Sequence, residues 1–131
     1  MTKVVPIYEK TFRQEYCWVR AKNSSEFEAY LRTKISNYDQ VVDTSDNSEE
    51  DDGETLSLVI DGRGVIFFWF NEEDITAIVH ELLHAVCACM RSRGVTLTED
   101  SEETFCYALS FLMTEVDKVL KKPLTKKKKA V

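Results

Sequence analysis

Val65-Ile66-Phe67-Phe68-Trp69-Phe70 is the stretch on which the fold turns: six consecutive β-branched or aromatic residues with no polar position. Side chains alternate across a strand, so a half-solvated strand shows one polar face. This one has none, and the pattern predicts a strand covered on both sides. Upstream, Thr55 to Ile60 alternates in part, and Asp61-Gly62-Arg63-Gly64 supplies turn residues, so 55–70 reads as a β-hairpin. Downstream, Asn71 is a capping residue, followed by Glu72, Glu73 and Asp74, three acids suited to the positive end of a helix. The run from Ile75 to Met90 is almost wholly apolar, and Arg91, Arg93 and Gly94 have the composition of a helix C-terminus. A helix apolar on nearly all sides is expected to be central and to cover one face of the strand.

That helix carries the only two histidines of the chain, in His80-Glu81-Leu82-Leu83-His84. Four helical residues turn the side-chain direction by about 400°, so the imidazoles lie nearly one above the other. Two ring nitrogens so placed can reach one zinc ion, with Glu81 beside them as a base for an activated water. The competing reading is a chance pair on a packed helix. A charged Glu81 inside so apolar a helix needs a partner, which a metal site would supply. A tetrahedral zinc with one open position needs a third protein ligand. Glu99, Asp100, Glu102 and Glu103 are the downstream candidates, at the start of a second predicted helix from Asp100 to about Lys121. An antiparallel helix joined by a short loop returns its first turn towards the later turns of the first helix. Bringing Glu103 level with the histidines therefore requires extra offset in the loop. Asp100-Ser101-Glu102-Glu103 also reads as a capping box, and spacing alone leaves both Glu103 and Glu102 open.

His80-Glu81-x-x-His84 followed after eighteen residues by Glu103 resembles the gluzincin arrangement. The segments His80-Glu81-Leu82-Leu83-His84-Ala85-Val86 and Glu103-Thr104-Phe105-Cys106-Tyr107 are similar to those of small phage and prophage metallopeptidase-like proteins, over roughly residues 56–115. The resemblance implies His80, His84 and Glu103 as zinc ligands, Glu81 as general base, and hydrolysis of a peptide or protein substrate. It also implies an α+β fold: a small sheet including a hairpin, packed on a central HExxH helix and a following antiparallel helix, as in a minimal zincin. Two features depart from the larger enzymes. Tyr107 stands one turn after Glu103, where thermolysin-like enzymes place an Asp, and no separate His or Tyr is assignable to the oxyanion. Tyr107 shares the Glu103 face and is a candidate hydrogen-bond donor to the metal's surroundings or to the reacting carbonyl, against a reading as a packed helical tyrosine. The metzincin extension is absent, since Cys87 and Met90 stand where it needs Gly and His.

At 131 residues, 44% apolar and 31% charged, the chain fits one small soluble domain, here residues 1–120. No apolar run is long enough for a membrane span, and the N-terminus lacks a signal-peptide core. Cys17, Cys87, Cys89 and Cys106 show no disulfide-framework spacing, so they read as reduced thiols of a cytoplasmic protein. In the N-terminal third, Thr11 to Arg20 reads as a strand, and Ser24 or Ser25 as the cap of a helix from Glu26 to about Ile35, with Phe27, Tyr30, Leu31 and Ile35 on one face. Residues 43–54 are acidic and nearly free of apolar side chains, a solvated loop by composition. A calcium site there does not fit, because glycine and ligands are out of order for an EF-hand. Residues 121–131 form a lysine-rich tail after Pro123. It reads as a solubilising segment offsetting part of the net charge of −6, or as a tether to nucleic acid or an acidic partner.

Three functions follow as expectations: a zinc peptidase, a non-catalytic zinc-containing binding protein, or a SprT-like protease directed to nucleic acid by the lysines. An intact Glu81 favours turnover, since a structural zinc site needs no base and closes with four protein ligands. Oligomeric state has no signature in the sequence.

Overall fold

In the computed structural model, which describes residues 2–42, 52–121 and 124, the apolar hexapeptide is the inner partition of the molecule. The elements run β1 (Val4–Glu9), β2 (Gln14–Val19), α1 (Ser24–Lys34), α2 (Tyr38–Val41), β3 (Gly53–Ile60), β4 (Arg63–Phe70), α3 (Ile75–Ser92) and α4 (Glu102–Asp117). The four strands form one mixed sheet ordered β1-β2-β4-β3, with β2 and β4 parallel and the other pairs antiparallel. The architecture is α+β. Ile66, Phe68 and Phe70 face a core built with Trp18 on β2, Ile78, Leu82, Val86 and Met90 on α3, and Leu112 and Val116 on α4. Val65, Phe67 and Trp69 face a second core with Phe27 and Leu31 of α1 and Tyr38 of α2. Every residue from Val65 to Phe70 is buried, which explains the missing polar face.

The β3–β4 hairpin is tighter than its composition suggests. Only Asp61 (φ 51°) and Gly62 (φ 78°) form the turn, and Ile60 already pairs with Arg63. Positive φ at both central residues matches the right-handed twist of the strands, and Asp-Gly tolerates it. Arg63 and Gly64 thus belong to β4. At the other end Gly53 and Glu54 belong to β3, so the acidic segment is shorter than expected; its residues 43–51 lie outside the described residues.

Residues 4–9 form a strand that the sequence does not announce, and the strand expected over 11–20 is confined to 14–19. Pro6 occurs in β1 because β1 is an edge, where one side of the backbone needs no ladder partner. α1 is capped by Asn23, whose side-chain oxygen accepts from the Glu26 amide at 2.8 Å, instead of by Ser24 or Ser25. α3 begins four residues after Asn71. Asp74 caps it, accepting from the Thr76 and Ala77 amides at 2.9 and 3.3 Å, while Asn71 closes the preceding turn by accepting from the Glu73 amide. The helix ends in a Schellman motif, with Gly94 at φ 70°, its amide bonded to Arg91 and the Val95 amide to Met90.

α4 is shorter than the predicted 100–121, and the capping box is not formed. Ser101 precedes it without a side-chain cap, its hydroxyl donating to the Thr96 carbonyl at 2.6 Å and accepting from the Thr98 amide. α4 runs back along α3: Tyr107 and Arg93 both dock on the β1–β2 turn, while Leu120 and Lys121 share a crevice with Phe70 and Asn71 just ahead of α3. The four cysteines are free thiols. Among the described residues no helix is long and apolar enough to cross a membrane. Of the 121–131 tail, all but Lys121 and Leu124 lie outside the described residues.

Candidate metal centre

The helical register of α3 turns His80 and His84 to the solvent side, opposite Leu82, Ala85 and Val86. Their Nε2 atoms approach to 3.1 Å, with ring centroids 4.6 Å apart and planes at 79°. Two nitrogens bound to tetrahedral zinc at 2.0–2.1 Å stand about 3.3 Å apart. The contact is an imidazole–imidazole hydrogen bond in this structure, and its length is close to that spacing.

Glu81 points about 100° away from His80, towards the sheet, and is only 3% exposed. The Thr55 hydroxyl on β3 donates to its Oε1 at 2.8 Å and reaches its backbone carbonyl at 3.2 Å. A partner for this buried charge was expected, and a neutral hydroxyl from the edge strand provides one. Gly53 explains how β3 comes so near: a Cβ there would lie 2.5 Å from Glu81 Cγ and 2.9 Å from Cδ and Oε2. Glu81 thus lies in a slot that only glycine leaves open. Beside it a crevice of about 280 Å³ separates the start of β3 from the first turns of α3, lined by Gly53, Ala77, His80 and Glu81 with the further carboxylates Asp52 and Asp74. Gly53, Thr55 and Asp52 were not singled out by sequence reasoning, since none belongs to a motif.

Glu103 and Glu102 are exposed in the first turn of α4. Among the described residues no group of three or more His, Cys, Asp or Glu is arranged to hold a metal, so neither is gathered with the histidines here. The reason is the offset. The Schellman turn and the following loop leave the start of α4 near the end of α3, and Ser92, the last residue of α3, lies about 12 Å beyond His84 along the axis.

Tyr107 has different partners from those considered for it. Its hydroxyl donates to Glu9 Oε1 at 3.3 Å and lies 3.3 Å from Thr11 Oγ1, its ring 6.3 Å from that of Phe12. Glu9 is 2% exposed and accepts from the Thr11 and Phe12 amides at 2.8 and 2.7 Å, closing the β1–β2 turn. Burial pushes its carboxyl up, but the bonds from Phe12, Thr11 and Tyr107 outweigh that and hold it below the usual carboxylate range. Arg93 completes this corner through the Phe12 carbonyl and, at 2.8 Å, the Gln14 side chain. Glu is not among the short side chains, Asp, Asn, Ser and Thr, that ordinarily close such a turn, so the sequence gives no local signal for this role of Glu9. Comparison of the chain with protein-family models, curated proteins and solved structures finds no match.

Proposed function

We propose that the chain is a zinc-dependent peptidase of minimal zincin-like form, with His80 and His84 as two ligands, Glu103 as the third, and Glu81 as general base. The observation that carries this reading is the 3.1 Å separation of the two Nε2 atoms, with a buried carboxylate on the intervening residue. Zinc at this position supplies a Lewis acid that polarises a carbonyl and acidifies a water. Thr55 holds one oxygen of Glu81, which orients the carboxylate while its other oxygen takes a proton from the attacking water and returns it to the leaving amine. The crevice beside His80 and Glu81 gives the base access to substrate. Glu103 stands apart from the histidines in the first turn of α4, so its place as third ligand rests on its spacing from His84 in the sequence. Tyr107, held on Glu9 of the β1–β2 turn, is the candidate donor to the reacting carbonyl by its position one turn after Glu103 in the sequence. Four free thiols favour a cytoplasmic setting.

A second reading has a specific observation in its favour. The engagement of Glu81 by Thr55, with Glu103 apart from the histidines, also suits a non-catalytic metal-binding protein. Zinc content and cleavage of a peptide library separate the two. The peptidase reading expects one zinc per chain, lost in His84→Ala and in Glu103→Ala, and cleavage abolished in Glu81→Gln with zinc retained. Zinc retained in Glu103→Ala removes Glu103 from the ligand set. Cleavage undiminished in Glu81→Gln overturns the base assignment. Metal-free wild type after zinc is added back overturns both readings.

A further inference from the structure

Strands β2 and β4 lie side by side and parallel, but the chain leaves them in opposite directions. β2 leads to α1 on the Trp69 face and β4 leads to α3 on the Phe68 face. Where neighbouring parallel strands part in this way, neither helix covers their carboxyl ends, and ligands of open α/β sheets bind in the crevice that remains. The crevice here has a volume of about 590 Å³, within the range of small-molecule sites. Its walls are the segments this topology dictates: Arg20 and Lys22 just past β2, Asn71 and Glu72 just past β4, and Lys3 ahead of the antiparallel β1. Leu120 and Lys121 close it where the chain returns after α4. None of the proposed zinc or proton-transfer residues takes part.

The crevice lining carries Lys3, Arg20, Lys22 and Lys121 against Glu26, Glu72 and Glu73, an excess of one positive charge. Glu72 accepts from Arg20 Nε at 3.0 Å and from Nη2 at 2.5 Å, and Glu26 accepts from the Thr2 hydroxyl at 3.1 Å. Arg20 is fixed further by the Trp18 ring, 5.1 Å from its guanidinium carbon. Lys3, Lys22 and Lys121 are exposed, and among the described residues they have no ion-pair partner. Phe70 and Leu120 add apolar wall between them. Three lysines beside the paired Arg20 and Glu72 outnumber the remaining carboxylates, Glu26 and Glu73, and a cleft that mixes them with Phe70 and Leu120 suits a ligand with an anionic end and a flat or apolar body. The positive ends of α1 and α3, which begin just past the two strands, add to the same field.

We infer that this switch-point crevice binds a small organic anion, its phosphate or carboxylate held by Lys3, Lys22 and Lys121 and its body against Phe70 and Leu120. The test is a titration of the full ¹⁵N-labelled chain, followed by amide shifts, with adenosine monophosphate, inorganic phosphate, phenylacetate, and adenosine as the uncharged control. Saturable shifts at residues 20–22, 71–73 and 120–121 are expected, with adenosine monophosphate binding more tightly than adenosine. Saturation by the nucleotide before phenylacetate assigns a phosphate ligand, and the reverse order a carboxylate. Lys22→Glu and Lys121→Glu, both surface changes that leave the cores intact, should each weaken binding about tenfold. The inference is overturned if no anion gives saturable shifts, if adenosine binds as well as its monophosphate, or if both variants bind as wild type does.

Discussion

Replacing Gly53 by alanine tests the packing of the proposed base more directly than any change to the base itself. The new methyl would sit 2.5 Å from Glu81 Cγ and 2.9 Å from its Cδ and Oε2, inside the contact distance of carbon atoms. Overpacking of this kind costs about 1–3 kcal/mol. Alanine recovers roughly 0.5–1 kcal/mol through the lower entropy of the unfolded chain, since Gly53 has no positive φ that would strain it. The net loss is about 1–2 kcal/mol. An unfolding entropy of about 2.1 cal/mol/K per residue makes each kcal/mol worth about 4 °C in a chain of this length, so Tm should fall by about 4–7 °C. Urea unfolding of Gly53→Ala, Glu81→Ala and the double variant gives the cycle, with the m-value unchanged if the native state keeps its compactness. With Glu81 shortened the slot opens, and adding Gly53→Ala to Glu81→Ala should cost nothing. A Gly53→Ala chain as stable as wild type, or a cycle additive to within a few tenths of a kcal/mol, would refute the contact and with it the placement of Glu81 against β3.

Glu9→Gln should flatten the acid limb of the stability curve. The native carboxyl is held below its unfolded value, so its contribution is fully present above the unfolded pKa and disappears as pH falls through the folded one; urea midpoints of wild type and variant should converge on acidification from neutral pH. Asp74→Ala should cost about 1 kcal/mol by leaving the Thr76 and Ala77 amides without their acceptor, read as a lower urea midpoint at unchanged m-value.

The parts of this fold that a reader of the sequence can extract are those fixed by short-range pattern. Val65 to Phe70 declares two covered faces because alternation maps directly onto burial. The apolar run of α3 declares a central helix, and four-residue spacing pairs the histidines whatever the rest of the chain does. What pattern does not carry is relative placement. β1 exists through its register with β2, and its proline makes it look like a terminal tail. The start of α3 depends on which of Asn71 and Asp74 faces the free amides, and composition ranks both as caps. The position of Glu103 follows from a turn and a loop whose geometry depends on Gly94 and Ser101. Glu81 appears in the sequence as a motif residue, but the two residues that hold it, Gly53 and Thr55, are 28 and 26 positions away and resemble any others in a strand.

The central position of β4 has a consequence for how the molecule comes apart. It is hydrogen-bonded on one side to β2, about fifty residues away in the chain, and on the other to β3, and its side chains belong to both cores. Either flanking layer can loosen by itself: α1 and α2 can detach from Val65, Phe67 and Trp69, or α4 can fray from α3, while β4 keeps its ladders. Opening the amides of β4 requires both cores to part at once. Its amides should therefore be the last to exchange with deuterium, at rates that report global unfolding, while those of α1 and the start of α4 exchange through smaller excursions. The β2–β4 pairing also spans the longest loop in the sheet, so it is slow to form. The strand easiest to recognise in the sequence is, by this reasoning, the last to reach its final partner when the chain folds.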